Sequence, residues 1–157
     1  MKLVSNCSPL IFLAKLNSLE LLSQDHVWVS FQVKEELLCK ESEEKDKLEK
    51  FLSQKNVSIV KIKKDRHFSL MLGKGEMAAI CLSLENKIPD VLLDDRRAYS
   101  LAKVHNLKPH GTLWIILRAY ANKLIARTAA RELIYELPAI DFRIDQKFLF
   151  QILKSLE

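Results

Sequence analysis

Glycine and proline are scarce in this chain, with three and four among 157 residues. So few of either leave little room for long loops. No glycine-rich phosphate cradle can be assembled, because neither GxGxxG nor GxxxxGKS/T occurs, which excludes the usual dinucleotide and nucleoside-triphosphate fingerprints. The three cysteines, Cys7, Cys39 and Cys81, form no CxxC or Cys/His cluster. A zinc site is therefore not expected, and the thiols read as free in a reducing compartment. No run approaches the roughly 20 apolar residues of a membrane span. The opening MKLVSNCSPLIFLAKL has a short apolar stretch interrupted by Asn6, Ser8 and Lys15, and no small-residue cleavage site follows, so a signal peptide is not expected. The expectation is a cytoplasmic protein with no membrane partner.

Hydrophobic residues make up 48% of the chain and charged residues 29%, a composition that excludes a disordered or collagen-like chain. The length supports one domain over residues 1–157, able to bury roughly two-thirds of its unfolded surface without help from a disulfide or metal. Lysine and arginine number 25 against 20 aspartates and glutamates, a net charge of +5. That balance is compatible with nucleic acid but is not concentrated in a basic block. The densest cluster is Lys61, Lys63, Lys64, Arg66 and His67, followed by Arg118, Lys123, Arg127 and Arg131. Both read first as solvated faces.

Apolar periodicity organises the chain into alternating strands and helices. Strands are expected at Lys2–Ser5, Val27–Val29, Val57–Ile62, Val91–Leu93 and Lys108–His110. Ser8-Pro9 offers a cap and a first-turn proline for a helix through Leu16, with a helical turn at Leu19–Leu22. A helix beginning at Phe31 is expected to run through the charged stretch Glu41–Lys50 to Phe51-Leu52. After a loop at Lys63–Lys74, helices follow at Glu76–Glu85, Arg96–His105, Gly111–Ala121, Arg127–Leu137 and Gln146–Leu156. Strands alternating with helices predict an α/β fold with a mostly parallel sheet of four to five strands, covered on both faces.

In such a sheet, ligands bind outside the carboxyl ends of the strands. The polar residues there are Asn6-Cys7-Ser8 after the first strand, Glu35-Glu36 after the second, Gly75-Glu76 before the fourth and Asp94-Asp95 after it. Clustered carboxylates repel one another and become tolerable when a divalent cation neutralises them. Oxygen ligands select Mg²⁺ or Mn²⁺ over zinc. The competing explanation is structural: Glu36 and Glu76 near helix N-termini gain about 0.3–1 kcal/mol from the helix dipole, and Asp94-Asp95 can cap the next helix. His26, His67, His105 and His110 show no metal spacing. Ser8 lacks the GxSxG elbow of a hydrolase nucleophile.

The ordered segments VSNCSPLIFLAKL, VSFQVKEEL, GKGEMAAICLS, VLLDDRRAYSLAKVHNL, GTLWIILRAY and FRIDQKFLFQIL resemble the PIN-domain superfamily, in its DUF3368 branch near the VapC-type toxins. The resemblance runs over nearly the whole chain. SPLIFLAKL, GxGExAAI and LLDDRRA are its most specific pieces. It implies a three-layer α/β/α sandwich and Mg²⁺- or Mn²⁺-dependent endoribonuclease chemistry at clustered acids. Carried onto this chain, the second acid is Glu36, in the V-x-x-E-L pattern at Val33–Leu37. The third is Glu76 and the fourth Asp95, with Asp94 as an auxiliary ligand. Ser8 matches a small polar residue that holds a ligand or water.

The chain departs from the family at the first acid, where Asn6 stands in place of the usual aspartate. An amide oxygen still ligates a hard cation, but it brings no charge. A carboxylate about 4 Å from a dication contributes several kcal/mol of gross attraction at an effective dielectric of about 20. Most of this is offset by lost hydration, yet weaker metal binding is expected, and asparagine cannot serve as a general base.

Three functions remain in view. The first is a ribonuclease, the toxin of a toxin–antitoxin pair. In it Glu36, Glu76 and Asp95 bind the ion with Asn6 as a neutral ligand, and Lys74, Arg96 and Arg97 hold RNA phosphates. The second is a degenerate module that binds RNA or a protein without cutting. The third is a homodimer formed through Trp114, Ile115, Leu117 and Tyr120, a helix face that core packing explains more simply.

Overall fold

The computed structural model describes residues 1–66 and 71–157. Residues 67–70, within the expected Lys63–Lys74 loop and including His67, lie outside the described residues. Among the described residues five strands form the sheet: β1 (Lys2–Ser5), β2 (His26–Ser30), β3 (Val57–Val60), β4 (Asp90–Leu92) and β5 (Lys108–His110). The helices among the described residues are α1 (Cys7–Lys15), α2 (Phe31–Cys39), α3 (Lys45–Leu52), α4 (Lys74–Asn86), α5 (Arg96–Val104), α6 (Thr112–Ala121), α7 (Arg127–Glu136) and α8 (Gln146–Ser155). Short 3-10 turns occupy Leu19–Leu22 and Leu137–Ile140.

The strand order is β3-β2-β1-β4-β5, and every pairing is parallel. Successive side chains of a strand point to opposite faces, and here both faces are dry. Leu3 and Leu92 join a core with α1, α3, α6, α7 and α8. Val4 and Val91 join a second core with α4 and α5. The central strands are therefore apolar on both sides, as parallel sheets require. The result is a three-layer α/β/α sandwich, as the sequence predicted, and the sheet is entirely rather than mostly parallel. No helix among the described residues is long and apolar enough to cross a membrane.

The chain leaves β1 toward β2 and β3, then returns to the other side of β1 for β4 and β5. The order thus reverses between β1 and β4, where the Asn6 amide donates to the Leu92 carbonyl at 3.1 Å. That reversal opens a crevice at the carboxyl ends of the strands.

Two local expectations change. The helix predicted from Phe31 to Leu52 is two helices, with Lys40–Glu44 between them. From Cys39 to Lys47 no large apolar side chain exists to hold a continuing helix on the core. The chain turns instead, and Leu48, Phe51 and Leu52 are brought in from a new direction. Ser8 is not the cap of α1. Asn6 takes the capping position, and Pro9 falls within the first turn, where its missing N–H costs no intrahelical bond. The α6 face offered for dimerisation packs inward: Ile115 is fully buried, and Trp114, Leu117 and Tyr120 lie half-buried against the same core.

Candidate active site

Where β1 ends, Asn6 is held in extended backbone at φ −83° and ψ 177°. An asparagine there ordinarily turns its side chain onto the helix it precedes. This one makes no capping hydrogen bond, although only 3% of the residue is exposed. Its Oδ1 looks toward the first turn of α4 instead.

Gly75, buried in that turn, explains the approach. A Cβ on Gly75 would stand 2.5 Å from Glu36 Oε2, 3.1 Å from Asn6 Oδ1 and 3.5 Å from Cys7 Sγ. The missing side chain leaves a cradle into which the end of β1, α2 and the N-terminus of α4 each bring polar atoms. The exposed Glu36 reaches it from α2. The Cys7 thiol is pushed far up by burial, an effect that the neighbouring Glu36 carboxylate reinforces. Cys7 thus stays a neutral thiol and is no nucleophile.

Glu76 follows in α4 and is half-buried. Its Oε2 accepts the Gly73 amide at 3.0 Å, the returning half of a capping box. Burial raises its pKa above the usual carboxylate range, the Gly73 amide opposes the rise, and the charges of Asp95 and Glu36 add to it. Glu76 thus feels the carboxylates of two other elements at this rim. Asp95 is exposed and caps α5, its Oδ1 accepting the amides of Arg97 at 2.9 Å and Ala98 at 3.0 Å. Its other oxygen makes no hydrogen bond among the described residues.

Asp94 is placed differently. Its Oδ1 accepts the Thr112 amide and its Oδ2 the Thr112 hydroxyl, both at 2.7 Å. A Cβ on Gly111 would come within 2.9 Å of Asp94 Oδ1. Burial raises the Asp94 pKa against the lowering effect of both Thr112 bonds. Asp94 therefore docks α6 onto β4. Each aspartate of the pair caps a helix, α6 for Asp94 and α5 for Asp95, the latter with one oxygen alone.

The remaining residues singled out in the sequence flank the rim. Lys74 opens α4, and Arg96 and Arg97 open α5; all three are exposed. Ser8 lies half-buried in the first turn of α1. Sequence reasoning named Gly75 only as the neighbour of Glu76, and Thr112 not at all. Their signals, GKGE and the Gly-Thr pair that opens α6, depend on close approaches that no local pattern reveals.

The donors facing the crevice are oxygens, which suit a hard divalent cation. Among the described residues, however, no three His, Cys, Asp or Glu side chains are grouped closely enough to hold an ion by themselves. The Gly75 cradle joins one carboxylate oxygen to one amide oxygen, with Glu76 and Asp95 beside it. An open oxygen set of this kind would suit a hard divalent cation such as Mg²⁺, which keeps several waters and takes one or two carboxylates together with substrate phosphates.

The family model for DUF3368, a PIN domain, matches residues 2–157. No curated protein and no solved structure matches the chain.

Proposed function

The chain belongs to the DUF3368 family of PIN domains, a nuclease-type fold, and from that premise we propose that it is a Mg²⁺- or Mn²⁺-dependent endoribonuclease. The observation that carries this reading is the Gly75 cradle, where Glu36 Oε2 and Asn6 Oδ1 each approach the position a Cβ would fill at the start of α4. Capping accounts for one oxygen of Glu76 and one of Asp95, but Glu36, which stands beyond the first turn of α2, caps no helix. Burial raises the Glu76 pKa first, and the charges of Asp95 and Glu36 add a smaller rise, which a cation would relieve.

In this reading Asn6, Glu36, Glu76 and Asp95 hold the ion. A bound ion supplies an activated water and stabilises charge developing on the phosphodiester. Asn6 offers a lone pair but cannot take a proton, so the proton of the attacking water passes to one of the three carboxylates. Lys74, Arg96 and Arg97 bind the phosphates on either side of the scissile bond. Asp94, with both oxygens on Thr112, positions α6 and serves the ion at most through its neighbour. The cellular role we attach to this chemistry is that of a toxin, with an antitoxin as its protein partner. The resemblance to VapC-type toxins supports it.

A second reading is favoured by Asn6 itself: a module that holds RNA without cutting it. Cleavage of mixed-sequence single-stranded RNA in Mn²⁺, with EDTA and Asp95→Asn controls, separates the two. Loss of cleavage in both controls supports the nuclease. A folded protein that binds the RNA and leaves it intact overturns it.

A further inference from the structure

The rim holds an aromatic residue that the proposed chemistry does not use. Phe31 is the first residue of α2, directly after β2, and it is 37% exposed. Single exposed apolar residues are ordinary, but the placement of this one is not. Tyr135, Phe148 and Phe150, the other large exposed aromatics among the described residues, belong to α7 and α8. Phe31 stands at the carboxyl edge of the sheet. The β2–β3 register pairs Ser30 with Val60, so Phe31 and Lys61 leave adjacent strands side by side. The Lys61 ammonium lies 5.4 Å from the centroid of the Phe31 ring, and Lys61 is exposed.

Glu36 lies five positions further along α2, about 7.5 Å of helix rise and roughly 140° around the axis, so a polymer that spans the rim, rather than one small group, would be needed to reach both. Following the sheet from β3 toward β4, the rim presents a cation on an aromatic ring at Lys61 and Phe31, then the acids, then Arg96 and Arg97. A polyanion lying across the strand ends would meet positive charge on both sides of the acids. An exposed ring beside a cation recognises an unstacked base followed by its phosphate, and a paired base cannot present its face to it.

We propose that Phe31 and Lys61 form a stacking step for one base of a single-stranded RNA, and so set the site's preference for single strands over duplexes. This rests on the nuclease reading only for the identity of the polymer; its test is a binding measurement. A short single-stranded RNA carrying 2-aminopurine and a terminal fluorophore is titrated into Asp95→Asn protein, with and without changes at position 31, and a duplex of the same sequence is run alongside.

Phe31→Ala and Phe31→Leu are expected to weaken single-strand binding about tenfold and to abolish the quenching of 2-aminopurine. Phe31→Tyr is expected to keep both, which a merely apolar contact would not predict. Affinity and quenching that survive Phe31→Leu would overturn the stacking step, as would duplex binding as tight as single-strand binding. Cleavage by otherwise wild-type protein is scored separately. Phe31-dependent binding without cleavage sinks the nuclease and keeps the stacking step, whereas cleavage with Phe31-independent binding does the reverse.

Discussion

In the proposed site, Asn6 would set how strongly the rim holds a cation. It is buried, its Oδ1 faces the Gly75 cradle, and it caps nothing. Replacing it with aspartate adds a charge where Glu36 already brings one. Asn6→Asp is expected to tighten Mn²⁺ binding about tenfold, as read by titration calorimetry, and to raise cleavage; unchanged affinity would place the residue outside the ion's shell. Gly75 is the complementary test. A methyl group there would press on Glu36 Oε2 and on Asn6 Oδ1. Glu36 is the exposed end of a flexible side chain and can swing away, so Gly75→Ala is expected to lower Mn²⁺ affinity and cleavage at least about tenfold while leaving most of the stability. A collapse of the melting temperature would show instead that the close approach of Asn6 governs packing.

At the scale of elements, capping positions the site. Asp95 starts α5 and Asp94 starts α6 through Thr112. Thr112→Val removes one of the two donors to a half-buried carboxylate, at a cost of roughly 1–3 kcal/mol. The pH dependence of that cost has a definite sign. A carboxyl group whose pKa is raised by folding favours the folded state when protonated. Its favourable contribution is present below the unfolded pKa and is lost as pH rises through the folded one. Burial raises Asp94 in this way, and the Thr112 bonds restrain the rise. Losing the hydroxyl moves the folded pKa further up. The deficit of Thr112→Val in urea denaturation should therefore be largest at neutral pH and shrink in acid; a deficit independent of pH would mean that the hydroxyl does not act through the Asp94 charge.

Across the whole molecule, one ion-pair cluster joins parts far apart in sequence. Asp25, 5% exposed at its side chain, accepts the Met1 amino group at 3.1 Å and is gripped by the Arg118 guanidinium. Arg118 lies 4.7 Å over the Trp114 ring, and Trp114 stacks on His110 at 3.8 Å. His110 in turn meets Asp90 at 2.8 Å. The starts of β1, β2 and β4, the end of β5 and the length of α6 are thereby linked, from Asp25 at the amino edge of the sheet to His110 at its carboxyl edge. Asp25→Ala would leave a largely buried guanidinium without its partner, which costs about 3–5 kcal/mol. Urea denaturation should show that loss, with RNA cleavage by the remaining folded protein unchanged. A loss below about 1 kcal/mol would mean that solvent screens the pair.

Much of this was already written in local pattern. The five strands fell close to their expected places because β-branched and apolar runs such as Val27–Val29 and Val57–Val60 suit a sheet dry on both faces. The alternation of strand and helix then left a parallel sandwich as the economical packing. Glu76, Asp94 and Asp95 could be named because each stands at a strand end or helix start, where α/β sheets bind ligands, whereas Glu36, expected near a helix N-terminus, lies beyond the first turn of α2 and was singled out by the V-x-x-E-L pattern. Other features were beyond the sequence because they depend on contacts between distant segments. The break between α2 and α3 follows from where the core lies, not from helix propensity. The different employment of Asp94 and Asp95, identical neighbours in sequence, is decided by Thr112 arriving from the next β–α connection. The meeting of Asn6 with Glu36 is decided by a missing Cβ at Gly75. Periodicity along one chain encodes which face of an element is buried, but only the folded molecule determines which two oxygens meet across a crevice.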